Sequence, residues 1–225
     1  CTEDDKLYIK KILDRPQFEI YKIIQEKDYD GVPKIKELFY SPENDKYILY
    51  EECIQGYTIE SMLSKGTCFG KKFVIKMATA LCNILKPIHN DNLIHRDISP
   101  NNVMYSQIED KFYLIDFGNS RLNKINTPKD TVFAGTPIFM APEQGGVGTQ
   151  SDNRTDIYAI DMLMKFMLTK NTTDKKSKIR GRLGKIIKKC TQSEMASRYK
   201  NVDKLKFKLS MIKVDDFLFP FKIYL

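Results

Sequence analysis

The chain has 225 residues, a length that suggests one domain or two small lobes around a shared core. Apolar residues make up 42% of the sequence and charged residues 29%, which is the balance of a globular protein and excludes an intrinsically disordered one. A formal net charge of +8 can indicate a nucleic-acid partner. The lysines are spread along the whole chain, however, so we expect an ordinary solvated surface and no nucleic-acid binding.

The first quarter of the chain alternates strands with one helix. Aromatic and β-branched residues predict a strand at 7–13, which Asp14, Arg15 and Pro16 end, and apolar residues at helical spacing predict a helix at 17–28. Two further strands are predicted at 34–40 and 46–53, with a turn cluster rich in Ser, Pro, Asn and Asp between them.

Beyond a predicted hinge at 53–57 the pattern becomes mainly helical. Helices are predicted at 58–65 and 70–90, and the pattern is helical again from 155 to 213. Residues 91–120 form short apolar runs separated by polar loops. Because strands come first and helices later, we expect an α+β fold.

The cysteines and the apolar segments indicate where in the cell the protein is expected. The five cysteines are odd in number and include no CxxC pair, so we expect neither a disulfide framework nor a zinc site. No apolar run approaches the roughly 18 residues of a membrane helix, and no secretory signal is visible at the start. We therefore expect a cytoplasmic location and no membrane span in this chain.

Three short motifs follow one another in the middle of the chain. HRDISPNN occupies 95–102, DFG occupies 116–118 after the apolar run FYLI, and GTPIFMAPE occupies 135–143. Each motif alone is common, but all three in this order and at these distances are specific. Together they resemble the signature of the eukaryotic-type protein kinase family, and the resemblance extends over about residues 7–213.

The resemblance implies a two-lobed protein-kinase-like fold, with a reduced N-lobe of about three strands and one helix and a mainly helical C-lobe. It implies a single domain over 1–225, with the N-lobe at about 1–52 and the C-lobe at about 58–213. An apolar tail at 214–225 follows, and it is too short to span a bilayer.

The resemblance also implies ATP-dependent transfer of the γ-phosphate to Ser or Thr hydroxyls of a protein substrate. Phosphoryl transfer needs positioning and charge neutralisation more than covalent catalysis. Asp97 would orient the attacking hydroxyl and accept its proton, while Asn102 and Asp116 would bind Mg²⁺ against the phosphates of ATP. An isolated Asp97 would more simply be a turn residue, so this assignment depends on the combined motifs.

A lysine on the first predicted strand resembles the family's phosphate-contacting lysine. We align Lys10 with that position and expect Glu19, on the following helix, to be its ion-pair partner. Lys11 is the alternative to Lys10. Strand alternation places the two lysines on opposite faces of the strand, so only one of them faces the cleft.

The segment YILYEECIQGY resembles the family's adenine-binding hinge. Main-chain groups of Glu52 and Ile54 would form hydrogen bonds to adenine, with Cys53 between them. Met104 would pack beneath the adenine ring, although simple core packing is its alternative role. This alignment places Glu51 at the gatekeeper position, which is unusual for the wider family.

The second half of the chain favours a protein kinase over a small-molecule kinase, because GTPIFMAPE resembles the peptide-docking end of an activation segment. Asp156 resembles the buried aspartate that braces the catalytic loop, and Glu143 and Arg198 resemble a buried ion pair of the family. The overall style of the motifs is most similar to serine/threonine kinases of low-GC Gram-positive bacteria.

Three features depart from the family pattern. No glycine-rich loop precedes Lys10, which only nine residues precede. Ser99 replaces a lysine that contacts the γ-phosphate in many members, and Asp161 stands where a glycine is usual. These departures leave a second hypothesis open, a kinase-like binding module with weak or no catalysis.

Overall fold

The computed structural model describes residues 2–3, 6–123, 135–145, 150–169 and 179–212. The strands are β1 (Thr2–Glu3), β2 (Lys6–Leu13), β3 (Ile35–Ser41), β4 (Lys46–Glu52), β5 (Tyr57–Thr58), β6 (Leu93–Ile94), β7 (Val103–Ser106), β8 (Lys111–Leu114) and β9 (Arg121–Leu122). The helices are α1 (Arg15–Lys27), α2 (Ile59–Ser64), α3 (Lys71–Asn90), α4 (Asn153–Thr169), α5 (Gly181–Cys190) and α6 (Val202–Ser210). Short 3₁₀ turns lie at Pro142–Gly145 and Met195–Ser197. The fold is therefore a small strand-rich lobe followed by a mainly helical one, as predicted.

The strand-rich lobe is an antiparallel sheet in the order β1-β2-β4-β3, with helix α1 packed against it. In the register of β2 on β4, Ile9 lies opposite Glu51 and Lys11 lies opposite Leu49. Lys11 and Glu51 are thus diagonal neighbours on one face of the sheet, within reach of long side chains.

Strand β2 ends at Leu13, immediately before the predicted break at 14–16, and helix α1 begins at Arg15, two residues before the predicted start at 17. The Asp14 side chain accepts a hydrogen bond from the Gln17 main-chain N–H at 2.8 Å, and the Gln17 side chain accepts one from the Asp14 N–H at 3.0 Å. This capping box fixes the helix start. Proline is tolerated in the first helical turn, where its missing N–H costs nothing.

The helical lobe is built around α3, which packs against α4, α6 and β8. Its core-facing side includes Met77, Leu81, Leu85 and Ile88, none of which is exposed. The predicted continuous helical pattern from 155 to 213 resolves into α4, α5 and α6. The basic stretch 175–189 is described only from residue 179 onward, and the apolar tail 214–225 lies outside the described residues.

The connection between the lobes passes through Gly56. A Cβ at this position would lie 2.5 Å from the carbonyl oxygen of Tyr105, so the close approach of the two backbones requires glycine. The chain then enters β5, and Thr58 caps helix α2 by accepting a hydrogen bond from the Ser61 N–H at 3.0 Å. In the part of the chain that the structure describes, no helix has the length and apolar character needed to cross a membrane.

Candidate active site

The loop at 95–102 is held in place by the buried carboxylate of Asp156, at the start of helix α4. One oxygen accepts the His95 N–H at 3.0 Å and lies 2.8 Å from Nε2 of His89, and the other accepts the Arg96 N–H at 2.8 Å. Burial alone would raise the pKa of Asp156, but these partners, with His89 foremost, lower it below its ordinary value. The bracing role expected for Asp156 is confirmed.

The carboxylate of Asp97 is fixed by three hydrogen bonds. Its Oδ1 accepts the Thr136 main-chain N–H at 2.8 Å and the Thr136 hydroxyl at 2.9 Å, and its Oδ2 accepts the Asn119 side-chain N–H at 3.0 Å. Gly135 has a φ of +120°, and a Cβ there would lie 2.8 Å from the Arg96 carbonyl oxygen. The 135–143 segment is therefore packed directly on the loop that carries Asp97.

Asn102 and Asp116 lie in the same neighbourhood. The Asn102 side-chain amide donates to the Asp97 carbonyl at 2.9 Å, and the Ile115 N–H donates to the Asn102 carbonyl at 2.9 Å, immediately before Asp116. Asp116 has a φ of 62°, a left-handed conformation that is strained for a residue with a side chain. Its Oδ1 accepts the Gly118 N–H at 3.2 Å. The structure thus brings together the three residues that the motifs single out.

The lysine assignment needs a correction, because Lys11 and not Lys10 faces this group. The Nζ of Lys11 lies 2.6 Å from Oε1 of Glu51, whereas Lys10 points its Nζ over the ring of Tyr50, 5.8 Å from the centroid. Glu19, the expected partner of Lys10, forms its ion pair with Lys22 on the exposed side of helix α1. The reason is the alternation of side chains along strand β2. Position 11 lies on the face of the sheet toward Asp116, and position 10 lies on the opposite face.

The Lys11–Glu51 pair is largely buried. Burial opposes the charge on Lys11, but the acidic groups of Tyr21, Glu51 and Asp116 together hold the pKa of Lys11 above its ordinary value. Burial raises the pKa of Glu51, and the nearby lysine only partly offsets this. Each charge therefore depends on the other for compensation.

The predicted adenine-binding residues lie at the junction of the lobes. Glu52 ends strand β4, its N–H donating to the Lys34 carbonyl at 2.8 Å, and Ile54 is buried two residues later. Met104 lies in β7, half-buried and paired with Thr58 of β5. Their contacts with adenine stay predictions.

The predicted ion pair between Glu143 and Arg198 is confirmed. The guanidinium contacts both carboxylate oxygens, at 2.6 and 2.7 Å, and both side chains are buried. The remaining N–H groups of Arg198 donate to the carbonyls of Gln192, Ser193 and Arg154. This fork joins the 135–143 segment to the residues that precede helix α6.

Two contributors to the site were missed in the sequence. Tyr21 fits the apolar periodicity of helix α1 and is indeed buried, but its hydroxyl oxygen also accepts the Phe117 N–H at 3.1 Å. The Gln17 side chain donates to the Gly118 carbonyl at 3.4 Å. Nothing in the local pattern distinguishes either residue from a core or capping residue, because the partners are about 100 positions away in the chain.

Comparison with known proteins agrees with this geometry. The family model "Protein kinase domain" matches residues 6–215. "Serine/threonine-protein kinase B" of Synechocystis sp. is 26% identical over 212 residues, 84% of this chain and 36% of that protein. "Serine/threonine-protein kinase D" of the same organism is 30% identical over 194 residues, 76% of this chain and 37% of that protein.

A putative serine/threonine-protein kinase of Acanthamoeba polyphaga mimivirus is 28% identical over 211 residues, 90% of this chain and 70% of that protein. The chain thus spans little more than a third of the two cyanobacterial relatives. These relatives do not test the finer likeness to low-GC Gram-positive kinases, which stays a prediction. Because the family model covers nearly the whole sequence and hydrogen bonds join residues of its signature motifs, the chain belongs to the protein kinase domain family.

Proposed function

We propose that this chain is the catalytic domain of a serine/threonine protein kinase, which transfers the γ-phosphate of ATP to a hydroxyl of a protein substrate. The observation that supports this most strongly is the fixed carboxylate of Asp97, hydrogen-bonded to Thr136 and Asn119 next to Asn102. A binding module would have no chemical need for this arrangement.

The residues have separate roles in the proposed reaction. Asp97 orients the substrate hydroxyl and takes its proton, a contribution that is typically about 10²–10⁴-fold in rate. Thr136 and Asn119 hold its two oxygens, so the carboxylate is already oriented when the hydroxyl arrives. Lys11 supplies a positive charge toward the phosphates, and Glu51 restrains it.

The donor atoms near Asp116 fit a magnesium ion. Mg²⁺ prefers a few protein oxygens completed by phosphate and water. The Asn102 side chain uses its nitrogen on the Asp97 carbonyl, so its Oδ1 would be the ligand, beside the Asp116 carboxylate. When bound, Mg-ATP supplies the phosphoryl group and the cation that neutralises its charge.

The substrate is proposed by class only. GTPIFMAPE packs on the Asp97 loop through Gly135 and Thr136, and Ile138, two residues after Thr136, is 52% exposed. An exposed apolar side chain in the segment that holds the Asp97 carboxylate supports a peptide substrate with an apolar residue near its Ser or Thr.

Phosphate transfer from radiolabelled Mg-ATP to a generic basic protein or to the chain itself tests the proposal. The wild-type chain should incorporate label on Ser or Thr, and Asp97→Asn should lose about 10²–10⁴-fold while still binding nucleotide. Asp116→Asn should lose transfer through loss of metal binding. A wild-type chain that binds nucleotide but transfers no phosphate would contradict the proposal and support the binding module instead.

A further inference from the structure

We infer that Glu51 is the positioning carboxylate of Lys11, and that helix α1 contacts the DFG segment through the Tyr21 hydroxyl instead of supplying a carboxylate of its own. The role of Lys11 toward phosphate rests on the proposed function, but the pairing does not. The three side chains converge on one point, because Nζ of Lys11 lies 2.6 Å from Glu51 and 3.5 Å from the Tyr21 hydroxyl.

The ion pair is built within the sheet. Lys11 and Glu51 stand on adjacent antiparallel strands, two positions apart in register and on the same face. Strand β4 lies between β2 and β3, so the carboxylate is carried by an interior strand. A change in the position of helix α1 would therefore leave the distance between Lys11 and Glu51 unchanged.

Burial shows that the pair has little access to alternative partners. The Glu51 side chain is 7% exposed and that of Lys11 is 25% exposed, so little of either side chain is open to solvent. An uncompensated carboxylate in this position would be costly, since burial alone raises the pKa of Glu51. The pair thus holds the ammonium group near Asp116, which also acts on it electrostatically.

Helix α1 is coupled to the DFG segment by neutral hydrogen bonds. The Tyr21 hydroxyl oxygen accepts the Phe117 N–H at 3.1 Å, and its ring packs edge-on against Phe117 with 6.5 Å between centroids. Gln17 adds a second bond to the Gly118 carbonyl. The helix therefore positions Phe117 and Gly118, and strand β4 positions Lys11, so the two tasks belong to different elements.

Phosphate transfer and thermal unfolding of variants test the division. Glu51→Gln should lower kcat by about tenfold or more and change KM for ATP less, because a misplaced lysine loses transition-state contacts. Tyr21→Glu in the Glu51→Gln background should recover a substantial part of kcat, since residue 21 lies beside Lys11. Glu37→Gln, an exposed carboxyl on β3, is the matched control and should behave as wild type.

Unfolding measurements test the Lys11–Glu51 pair independently of phosphate transfer. The losses in Tm for Lys11→Met and Glu51→Gln should be clearly less than additive in the double variant, because either change alone already removes the pair. Fully additive losses, or a Glu51→Gln variant with wild-type kcat, would overturn the inference. If the wild-type chain transfers no phosphate, the proposed function fails while the unfolding cycle still decides the pairing.

Discussion

The loop at 95–102 and the small sheet both contribute to the proposed active site but differ in how the protein builds them. The loop at 95–102 is held by main-chain N–H groups that converge on Asp156, with Asn102 closing the turn. The sheet holds its essential charge by a side-chain pair, Lys11 and Glu51, between adjacent strands. The loop depends on hydrogen bonds from main-chain groups. The sheet depends on which lysine side chain of strand β2 faces Glu51.

This difference explains why the two regions were not equally predictable. A motif with fixed spacing specifies the Asp97 loop, because its hydrogen bonds join residues that are neighbours in the sequence or belong to another fixed motif. Two neighbouring lysines on a strand have no fixed spacing to a partner in the sequence, so the sequence does not show which of them is paired. Substitutions that act on each region separately test this difference.

The largest effect is expected at Arg198, whose fork joins elements of the helical lobe. Arg198→Ala leaves the buried Glu143 without its charged partner and should cost about 3–5 kcal/mol of unfolding free energy. Chemical denaturation measures the loss. Arg182→Ala, which removes an exposed bond to the Met211 carbonyl, is the control and should cost far less. Equal small losses for both variants would mean that the buried pair does not stabilise the lobe.

The second effect separates the neighbouring lysines of strand β2. Lys11→Met should lower kcat/KM for phosphate transfer by about 10²–10³-fold, because in the proposed reaction it removes the charge directed at the phosphates. Lys10→Met should change it little, since that side chain lies over Tyr50 on the outer face of the sheet. Steady-state kinetics of the two variants decide between them. A larger loss in Lys10→Met would restore the original alignment and contradict the cleft geometry.

The smallest effect is a gain in stability at Asp161, in the middle of helix α4. Its carboxyl is fully buried beside the Cys190 thiol, neither oxygen has a hydrogen-bond partner of ordinary geometry among the described residues, and burial raises its pKa well above 3.8. A raised folded-state pKa means that the stability this group confers is complete below pH 3.8 and is lost as pH rises toward the folded value.

Asp161→Asn removes that dependence and should stabilise the chain by about 1–3 kcal/mol near neutral pH. The gain should be larger at pH 8 than at pH 5, because the unfolded wild-type chain gains more from ionising Asp161 as pH rises. Thermal melts of both proteins across this range measure it. A gain that does not change with pH would show that Asp161 is not kept protonated in the folded state.

Much of the fold and of the helical-lobe site could be predicted from the sequence. The strands near 7–13, 34–40 and 46–53 and the long helix near 70–90 match the structure within one or two residues. In the helix, the apolar periodicity reflects a buried face. In the strands, the signal was the aromatic and β-branched residues between turn residues. The meeting of Asp97, Asn102 and Asp116 followed from motif order.

The sheet side of the site could not be predicted to the same degree. In LYIKKIL both faces of the strand carry apolar residues, at 7, 9 and 13 with Lys11 and at 8 and 12 with Lys10, so alternation separates Lys10 from Lys11 without showing which face is the cleft. The register of β2 on β4, which brings Glu51 to Lys11, is a tertiary property. The Tyr21 hydroxyl is likewise indistinguishable in sequence from any buried aromatic on a helix.

A crystal structure of the chain with Mg²⁺ and a non-hydrolysable ATP analogue tests the central claim most directly, namely that the intact Asp97 loop and the Lys11–Glu51 pair form one phosphotransfer site. We expect Mg²⁺ to bind to Asn102 Oδ1 and Asp116, and Lys11 Nζ to contact a phosphate oxygen while Glu51 still contacts Nζ. Phosphates bound by Lys10, or Lys11 turned away from both the phosphates and Glu51, would contradict it.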